Sequence, residues 1–446
     1  MDTTVFRSHH PMRLRRLALA GLLAASMGSA LAQAIPTATP ESVGMSRERL
    51  AVLTQAMKQE VMQGRLPGAV VMIARNGKLV YSEAFGKLNN ASGGDMKVDS
   101  IFRLYSMTKP LVSTALMMLV EEGKVQLVDP VSKFLPAFKN PMVSVPSIDP
   151  VTGAVTYKIV PANHEPTIQD LLRHTSGIAY GEIAANAPVR EAYLKAKVFQ
   201  TAIPFDARGM SPTEMSEGVG KAPLAQQPGT TWEYSLSVDI QGRVVEAVSG
   251  QSLSDFMSDR IFKPLKMTDT AFYVPAIKAP RLAEPFSKDP QTGKPNVVLI
   301  DVSKPPADES GGAGGVGTAG DYLRYCQAML NGGQLDGARI LSPATVRLMT
   351  SDHLGHTINN TSSIGQLLLG TNGYTFGLGF AVRQQDGMAP VHGSAGEFMW
   401  AGFAGTFFWA EPKEKLCAVY MTQSPGALRT SYRRLMKSLV SQAIVN

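Results

Sequence analysis

Two residues three positions apart, Ser106 and Lys109, are the first in the chain whose types and spacing suggest chemistry. Residues at this spacing share one face of a helix, so the hydroxyl and the amine can touch if a helix begins there. A serine at a helix start lies where free backbone N–H groups and the helix dipole favour developing negative charge. A lysine held against the core loses solvation, its pKa falls, and it can act as a base. The pair is therefore a candidate nucleophile and base.

The same pair has an ordinary structural alternative. Serine is a common N-cap residue, and Ser-x-x-Lys occurs about once or twice by chance in a chain of this length. Pro110 is tolerated only in a first helical turn, which places the helix start at or just before Ser106. The run Leu111–Val120 is apolar on almost every side and predicts a buried central helix. On this motif alone, a polar helix start is the favoured interpretation.

A second candidate is Tyr234, which with Ser235 directly precedes an amphipathic helical pattern. A tyrosine on a loop beside an ammonium group can be partly ionised and can transfer protons. Taken alone, an aromatic contact before a helix is the favoured interpretation.

A third candidate is the glycine-rich stretch from His392 into a strand pattern at 404–410. Glycines let the backbone approach a ligand, and a backbone N–H there can form half of an oxyanion hole. His392 is a possible base, but the chain has no Ser-His-Asp order and no Gly-x-Ser-x-Gly elbow. That absence argues against an α/β-hydrolase.

Three other patterns are interpreted as structural. The Gly-x-Gly-x-x-Gly match at Gly315–Gly320 follows a loop and not a strand, so it fails as a dinucleotide site. His353 and His356 have no accompanying set of metal ligands. Cys326 and Cys417 lack ligand spacing and are interpreted as two unrelated buried cysteines. We expect no cofactor and no metal.

Composition and the first residues indicate the class of protein, its partners and its location. Hydrophobic residues make up 44% of the chain and charged ones 18%, which is typical of a globular protein. The net charge of +7 is scattered, without basic runs interleaved with aromatics, so no nucleic-acid partner is expected. Residues 1–34 combine a basic start, an apolar stretch too short to span a bilayer and a small-residue cleavage site. We predict a signal peptide cleaved near Ala32, and a periplasmic or secreted protein without stable membrane insertion.

The elements around these candidates predict one antiparallel sheet built from both ends of the chain. A helix pattern follows Ser46, and Asn76-Gly77 predicts a type I′ hairpin. Strand patterns and a closing helix occupy the C-terminal region, whereas helical patterns dominate between them, interrupted by a small hairpin at 143–160. We predict an α/β (α+β) fold, with a sheet domain from 41–104 and 351–446. The mainly helical domain, 105–350, carries the nucleophile helix.

Together these motifs resemble the serine hydrolases related to class C β-lactamases and penicillin-binding DD-peptidases, most closely the family VIII carboxylesterases. The segments Phe102–Pro110, Leu171–Gly177, Pro228–Ser235 and Gly332–Pro343 carry the resemblance, which extends from about Glu41 to the closing helix. It implies a β-lactamase or penicillin-binding-protein-like fold, in which N- and C-terminal helices flank the sheet and a mainly helical domain is inserted.

The resemblance also implies a chemistry. Ser106 would attack the acyl carbon of a small or medium ester, Lys109 and Tyr234 would move the proton, and water would clear the acyl-enzyme. The oxyanion would lie between the Ser106 N–H and a second backbone N–H. The alternatives are an amidase, a peptidase or a weak β-lactamase on the same machinery, or a non-catalytic penicillin-binding-like module.

The chain departs from the β-lactamase pattern at two motifs. Leu236 stands where those enzymes have an asparagine, and a leucine cannot bind a side-chain amide, which favours esters. The Lys-Thr-Gly motif is missing. Trp400-Ala401-Gly402 resembles the Trp-Gly-Gly of the esterases and is preferred over the rival register at His392 because it opens a strand. This register makes the Phe403 N–H the second oxyanion donor. Tyr105, Leu236 and His392 complete the candidate substrate-binding residues.

Overall fold

The computed structural model describes residues 35–360 and 364–446. The predicted signal peptide therefore lies outside the described residues. Within the described ranges, no helix combines the length and the apolar character needed to cross a bilayer.

The described residues form a group of strands near each end of the chain, with most of the helices between them. The helices are α1 Arg47–Met62, α2 Thr108–Glu121, α3 Ile168–Leu172, α4 Ala187–Lys195, α5 Pro212–Gly220, α6 Ser237–Ser249, α7 Leu253–Met257, α8 Ala319–Leu330, α9 Pro343–Met349, α10 Ile364–Leu369 and α11 Leu428–Ser441. The strands are β1 Gly68–Arg75, β2 Lys78–Asn89, β3 Gly93–Asp95, β4 Phe102–Arg103, β5 Met142–Ile148, β6 Val155–Pro161, β7 Thr231–Trp232, β8 Val316–Gly317, β9 Gln334–Leu335, β10 Ala338–Arg339, β11 Asn359–Asn360, β12 Tyr374–Phe376, β13 Ala381–Arg383, β14 Phe398–Ala401, β15 Phe407–Glu411 and β16 Leu416–Thr422.

The main sheet is antiparallel and has the strand order β12-β13-β14-β15-β16-β1-β2-β3. Asn76 and Gly77 connect β1 to β2 with φ angles of 52° and 71°, the positive values that a type I′ turn requires. The strand β1 also pairs with β16, placing Val71 opposite Tyr420. The two ends of the chain thus meet at the middle of the sheet, which confirms the predicted fold.

Side chains of the sheet alternate between two helical layers. On one face, the Trp409 ring lies 5.1 Å from Lys437 Nζ of α11, and α1 packs against α11. On the other face, the Phe408 ring lies 4.8 Å from the Tyr322 ring of α8. Because α8 packs on β1, β15 and β16, a helix from the predicted helical range 105–350 is in fact a layer on the sheet.

The helix α2 packs against the helices α6 and α7. Its residues Thr108–Leu119 are all buried, because α6 and α7 pack against it. The apolar run after Ser106 predicts such burial, and the structure agrees. The nucleophile segment is thereby anchored to the most enclosed helix of the fold.

The cysteines are buried and unbonded. The absence of a disulfide agrees with the sequence-based interpretation, although the two residues lie near each other. The Cys326 thiol on α8 interacts with Cys417 on β16, and burial, followed by this contact, raises the pKa of Cys417. The contact follows from the packing of α8 on the sheet.

Candidate active site

Ser106 lies in a 3-10 turn, Tyr105–Met107, immediately before α2. Tyr105 has a φ of 47°, a left-handed conformation that costs a non-glycine residue about 1–2 kcal/mol. Its hydroxyl accepts the Ile300 N–H at 3.0 Å, and its side chain is 1% exposed. Tyr105 therefore supports the nucleophile turn from inside the protein and does not reach the open pocket as a substrate-binding residue.

Two side chains converge on the Ser106 hydroxyl. Tyr234 Oη donates to Ser106 Oγ at 2.6 Å, and Lys109 Nζ donates to the same oxygen at 3.3 Å. Tyr234 stands on the loop before α6, so two elements of the helical region supply the groups. When Lys109 is neutral, its lone pair can accept the Ser106 proton while Tyr234 donates to Ser106 Oγ, which is what activation of a serine nucleophile requires.

The surroundings of Lys109 favour its neutral form. The side chain is 1% exposed, and burial lowers the pKa of Lys109 to about 7, while the negative charge of Asp239 opposes that shift. Nζ donates to Tyr180 Oη at 2.8 Å and to the Gly312 carbonyl at 2.7 Å. Lys109 can therefore accept a proton near neutral pH.

Tyr234 is held as a neutral phenol. Burial raises the pKa of Tyr234 above its usual value of 10, and the hydrogen bond to Ser106 only partly offsets this. Burial therefore disfavours the partly ionised form of Tyr234 that a neighbouring ammonium group could allow. The neutral hydroxyl can donate a proton to Ser106 Oγ, and Lys109 Nζ lies 4.7 Å from the centroid of the Tyr234 ring.

Three residues that act on Lys109 were missed by sequence reasoning: Tyr180, Gly312 and Asp239. Asp239 is 2% exposed, and its Oδ1 accepts the Ser310 hydroxyl at 2.6 Å and the Gly312 N–H at 3.0 Å. A Cβ on Gly312 would lie 2.3 Å from Asp239 Oδ2, so this position requires glycine. The glycine cluster just before Gly315 was the available signal, although the sequence suggested only a flexible loop.

The third motif brings backbone against the nucleophile turn. A Cβ on Gly402 would lie 2.2 Å from Thr406 Oγ1 and 2.3 Å from the Leu104 carbonyl, two residues before Ser106. The Gly402 N–H donates a hydrogen bond to the Thr406 carbonyl at 2.8 Å and is therefore not free. Among the turn and loop hydrogen bonds of the described residues, none is donated by the backbone N–H of Ser106 or of Phe403. These two donors are available to stabilise an oxyanion.

A cavity of about 430 Å³ adjoins a smaller pocket, of about 270 Å³, which opens at Ser106. The walls of the smaller pocket are mainly apolar and aromatic, with residues that include Phe205, Leu367, Leu368, Trp400 and Phe403. Two cations also line it. Arg433 donates from Nη2 to the Gly402 carbonyl at 2.6 Å, and burial lowers the pKa of Arg433 to about 9. The guanidinium of Arg429 lies 5.0 Å from the centroid of the Phe403 ring.

Not every residue singled out from the sequence reaches this pocket. Trp400, Gly402 and Phe403 line it together with Ser106 and Tyr234, in the preferred register.

His392 is exposed and lines a separate depression beside Glu411. Leu236 is 4% exposed and belongs to the hydrophobic core. His353 is held by contacts to Gln169 and Leu348. Across 35–360 and 364–446, no group of three His, Cys, Asp or Glu residues is placed to hold a metal ion.

Comparisons with known proteins agree with this geometry. The family model described as Beta-lactamase matches residues 52–440. Protein Rv1367c of Mycobacterium tuberculosis is 34% identical over 380 residues, which cover 83% of this chain and 89% of the relative. Esterase EstB of Burkholderia gladioli is 29% identical over 412 residues, covering 87% and 93%. The solved structure of EstCE1, a hydrolase with promiscuous acyltransferase activity, is 26% identical with a TM-score of 0.72, covering 88% and 98%.

Proposed function

The chain belongs to the Beta-lactamase family, and we propose on this basis that it is a serine carboxylesterase acting on small to medium esters. The observation that carries the proposal is the position of Ser106 Oγ, 2.6 Å from Tyr234 Oη and 3.3 Å from Lys109 Nζ. Ser106, the nucleophile, therefore lies within hydrogen-bonding distance of Lys109, a base with a lowered pKa, at the mouth of a mainly apolar pocket.

The reaction begins with proton transfer from Ser106 to neutral Lys109, directly or through Tyr234. Ser106 Oγ forms a bond to the acyl carbon, and the carbonyl oxygen becomes an oxyanion held by the N–H groups of Ser106 and Phe403. The C–O bond to the alcohol then breaks, and the leaving oxygen receives the proton through Tyr234. Water attacks the acyl-enzyme along the reverse proton path and releases the carboxylic acid.

Esters are favoured over amides and β-lactams by two features. The pocket walls offer aromatic and aliphatic contact, and Leu236, which stands in the asparagine position of the β-lactamase motif, is buried in the core. The relatives EstB and EstCE1 are named as an esterase and a hydrolase, which supports the same substrate class.

The test is hydrolysis of a p-nitrophenyl ester series beside a chromogenic cephalosporin and a D-amino peptide. We expect Ser106-dependent ester hydrolysis that Lys109→Ala and Tyr234→Phe reduce by about 10²-fold or more. Faster turnover of the cephalosporin or the peptide would replace the esterase by the lactamase or peptidase alternative. A fluorophosphonate probe that labels the wild type and Ser106→Ala equally, or neither of them, would leave only a non-catalytic module.

We also propose that the protein is exported to the periplasm or beyond the cell. The basic start, the apolar stretch and the small residues near Ala32 support this. Fusion of residues 1–34 to a reporter that is active only after export should give activity, whereas replacing Arg15 and Arg16 by glutamate should lower it. An inactive fusion with the intact segment would refute export by this signal.

A further inference from the structure

A second concave surface lies beside the Ser106 pocket. The hairpin β5–β6 forms one side of a groove of about 430 Å³. Its walls combine the apolar residues Pro146, Ile148, Val155 and Ile183 and the Tyr157 ring with the polar residues Asn186, Gln226 and Glu233. Several of these side chains are open to solvent, with exposed fractions of 67% for Ile148 and 50% for Val155. Aliphatic side chains exposed around one groove indicate an apolar ligand, because burying them gains free energy only when such a ligand binds.

The groove is continuous with the pocket of the nucleophile. Ile183 and Tyr234 line both the groove and the pocket that contains Ser106. A molecule bound at Ser106 can therefore extend into the groove past the Tyr234 ring. The groove thus extends the substrate-binding surface of the proposed reaction.

The proton transfers of the proposed reaction determine which half of the ester, acyl or alcohol, extends into the groove. The leaving oxygen must receive its proton from Tyr234, whose hydroxyl already lies 2.6 Å from Ser106 Oγ. The carbonyl oxygen instead lies toward the N–H groups of Ser106 and Phe403. Because Tyr234 lines both the groove and the pocket, whereas Phe403 lines only the pocket, the alcohol portion is the half that faces the groove.

We infer that the groove beneath the hairpin β5–β6 binds the alcohol portion of the ester, an apolar group of medium length. The inference rests on the proposed esterase function and adds an alcohol subsite to it. The acyl portion occupies the smaller pocket of about 270 Å³, lined by Leu367, Leu368 and Phe403.

Two ester series test the assignment. One keeps the acetyl group and lengthens the alcohol from ethyl to octyl, and the other keeps ethanol and lengthens the acyl group from acetyl to octanoyl. With the wild type, we expect kcat/KM to rise by about two- to fourfold per methylene in the alcohol series until the groove is filled. A flat alcohol series would overturn the inference.

Val155→Asp and Val151→Asp form a matched pair of variants. Both add one carboxylate to the same hairpin, but Val155 lines the groove whereas Val151, 90% exposed, lies at the tip and does not. We expect Val155→Asp to lower kcat/KM for octyl acetate by tenfold or more, and by at least fivefold more than for ethyl acetate or ethyl octanoate. Val151→Asp should match the wild type on all three esters.

The outcomes separate the two proposals. If ethyl acetate is hydrolysed with Ser106 intact but Val155→Asp affects ethyl octanoate as much as octyl acetate, the alcohol assignment is wrong and the esterase proposal stands. Equal losses on octyl acetate in both variants would show that the hairpin acts as a general apolar surface, and this would also refute the assignment. If no ester is hydrolysed, the proposed function fails and the inference fails with it.

Discussion

The Asp239 carboxylate accepts the Gly312 N–H at 3.0 Å from a buried position on α6. The carbonyl of Gly312 in turn accepts from Lys109 Nζ at 2.7 Å. Asp239 thus fixes the loop that orients Lys109, and its charge is the force that opposes the lowered pKa of that amine. Position and protonation of the proposed base both depend on one carboxylate, which acts through the Gly312 backbone and through its charge.

Replacing Asp239 by asparagine should therefore shift the pH dependence of the enzyme. The asparagine amide would keep a carbonyl acceptor for Gly312 but lose the negative charge, so the pKa of Lys109 should fall further. We expect the acidic limb of the kcat/KM profile to move to lower pH. Asp255→Asn, an exposed change on α7, is the control and should leave the profile unchanged. An unshifted limb in Asp239→Asn would mean that the carboxylate has only a structural role.

The wild-type profile itself should show an acidic limb at about pH 7. Below the pKa of Lys109, about 7, the amine is protonated and cannot take the Ser106 proton. The value of kcat/KM should fall tenfold for each pH unit below the limb and become level above it. Stopped assays between pH 5 and pH 9 with a soluble ester measure this. A limb near pH 4 would instead identify a carboxylate as the titrating base.

Lys109 should also lower stability in a pH-dependent way. Its pKa is lower in the folded protein than the ordinary 10.5, so the unfolded chain binds more protons between about pH 7 and pH 10.5. The resulting loss of folding stability is fully present below pH 7 and disappears as the pH rises toward 10.5. We expect the free energy of unfolding of the wild type, relative to that of Lys109→Met, to increase from pH 6 to pH 10. Urea unfolding at several pH values checks this, and a constant difference would contradict it.

Gly402→Ala should damage the reaction more than the binding of substrate. The new Cβ would lie 2.2 Å from Thr406 Oγ1 and 2.3 Å from the Leu104 carbonyl, so the backbone near Ser106 and Phe403 must shift. Displacing an oxyanion donor should lower kcat by about 10²–10³-fold with a smaller change in KM. Gly209→Ala is the control, because a Cβ there meets nothing within 4 Å. A normal kcat in Gly402→Ala would exclude this strand entry from the oxyanion site.

Local patterns in the sequence predict a large part of this architecture. Ser46 Oγ accepts the Arg49 N–H at 3.2 Å, as an N-cap before α1 should, and Asn76-Gly77 forms the expected turn. These features depend on residues a few positions apart, whose geometry follows from backbone and side-chain preferences. The burial of α2 is equally clear from its apolar run.

The remaining features depend on which elements meet in space. Tyr180 and Asp239 reach the surroundings of Lys109 from other segments, and no periodicity encodes that meeting. The amphipathic pattern of α8 defines an apolar face but not its partner, and the helix covers the sheet. The left-handed conformation of Tyr105 is stabilised by its distant contact with Ile300, so local preference gives no indication of it.

The pairing of β1 with β16 has a consequence for biosynthesis. Strand Gly68–Arg75 is made early, yet one of its two neighbours, Leu416–Thr422, emerges only after more than three hundred further residues. Until then β1 presents an open, apolar edge that can pair with other chains, and the late closure makes folding slow. Ester turnover should consequently appear only once synthesis has passed Thr422, which would make activity an all-or-none reporter of completed folding.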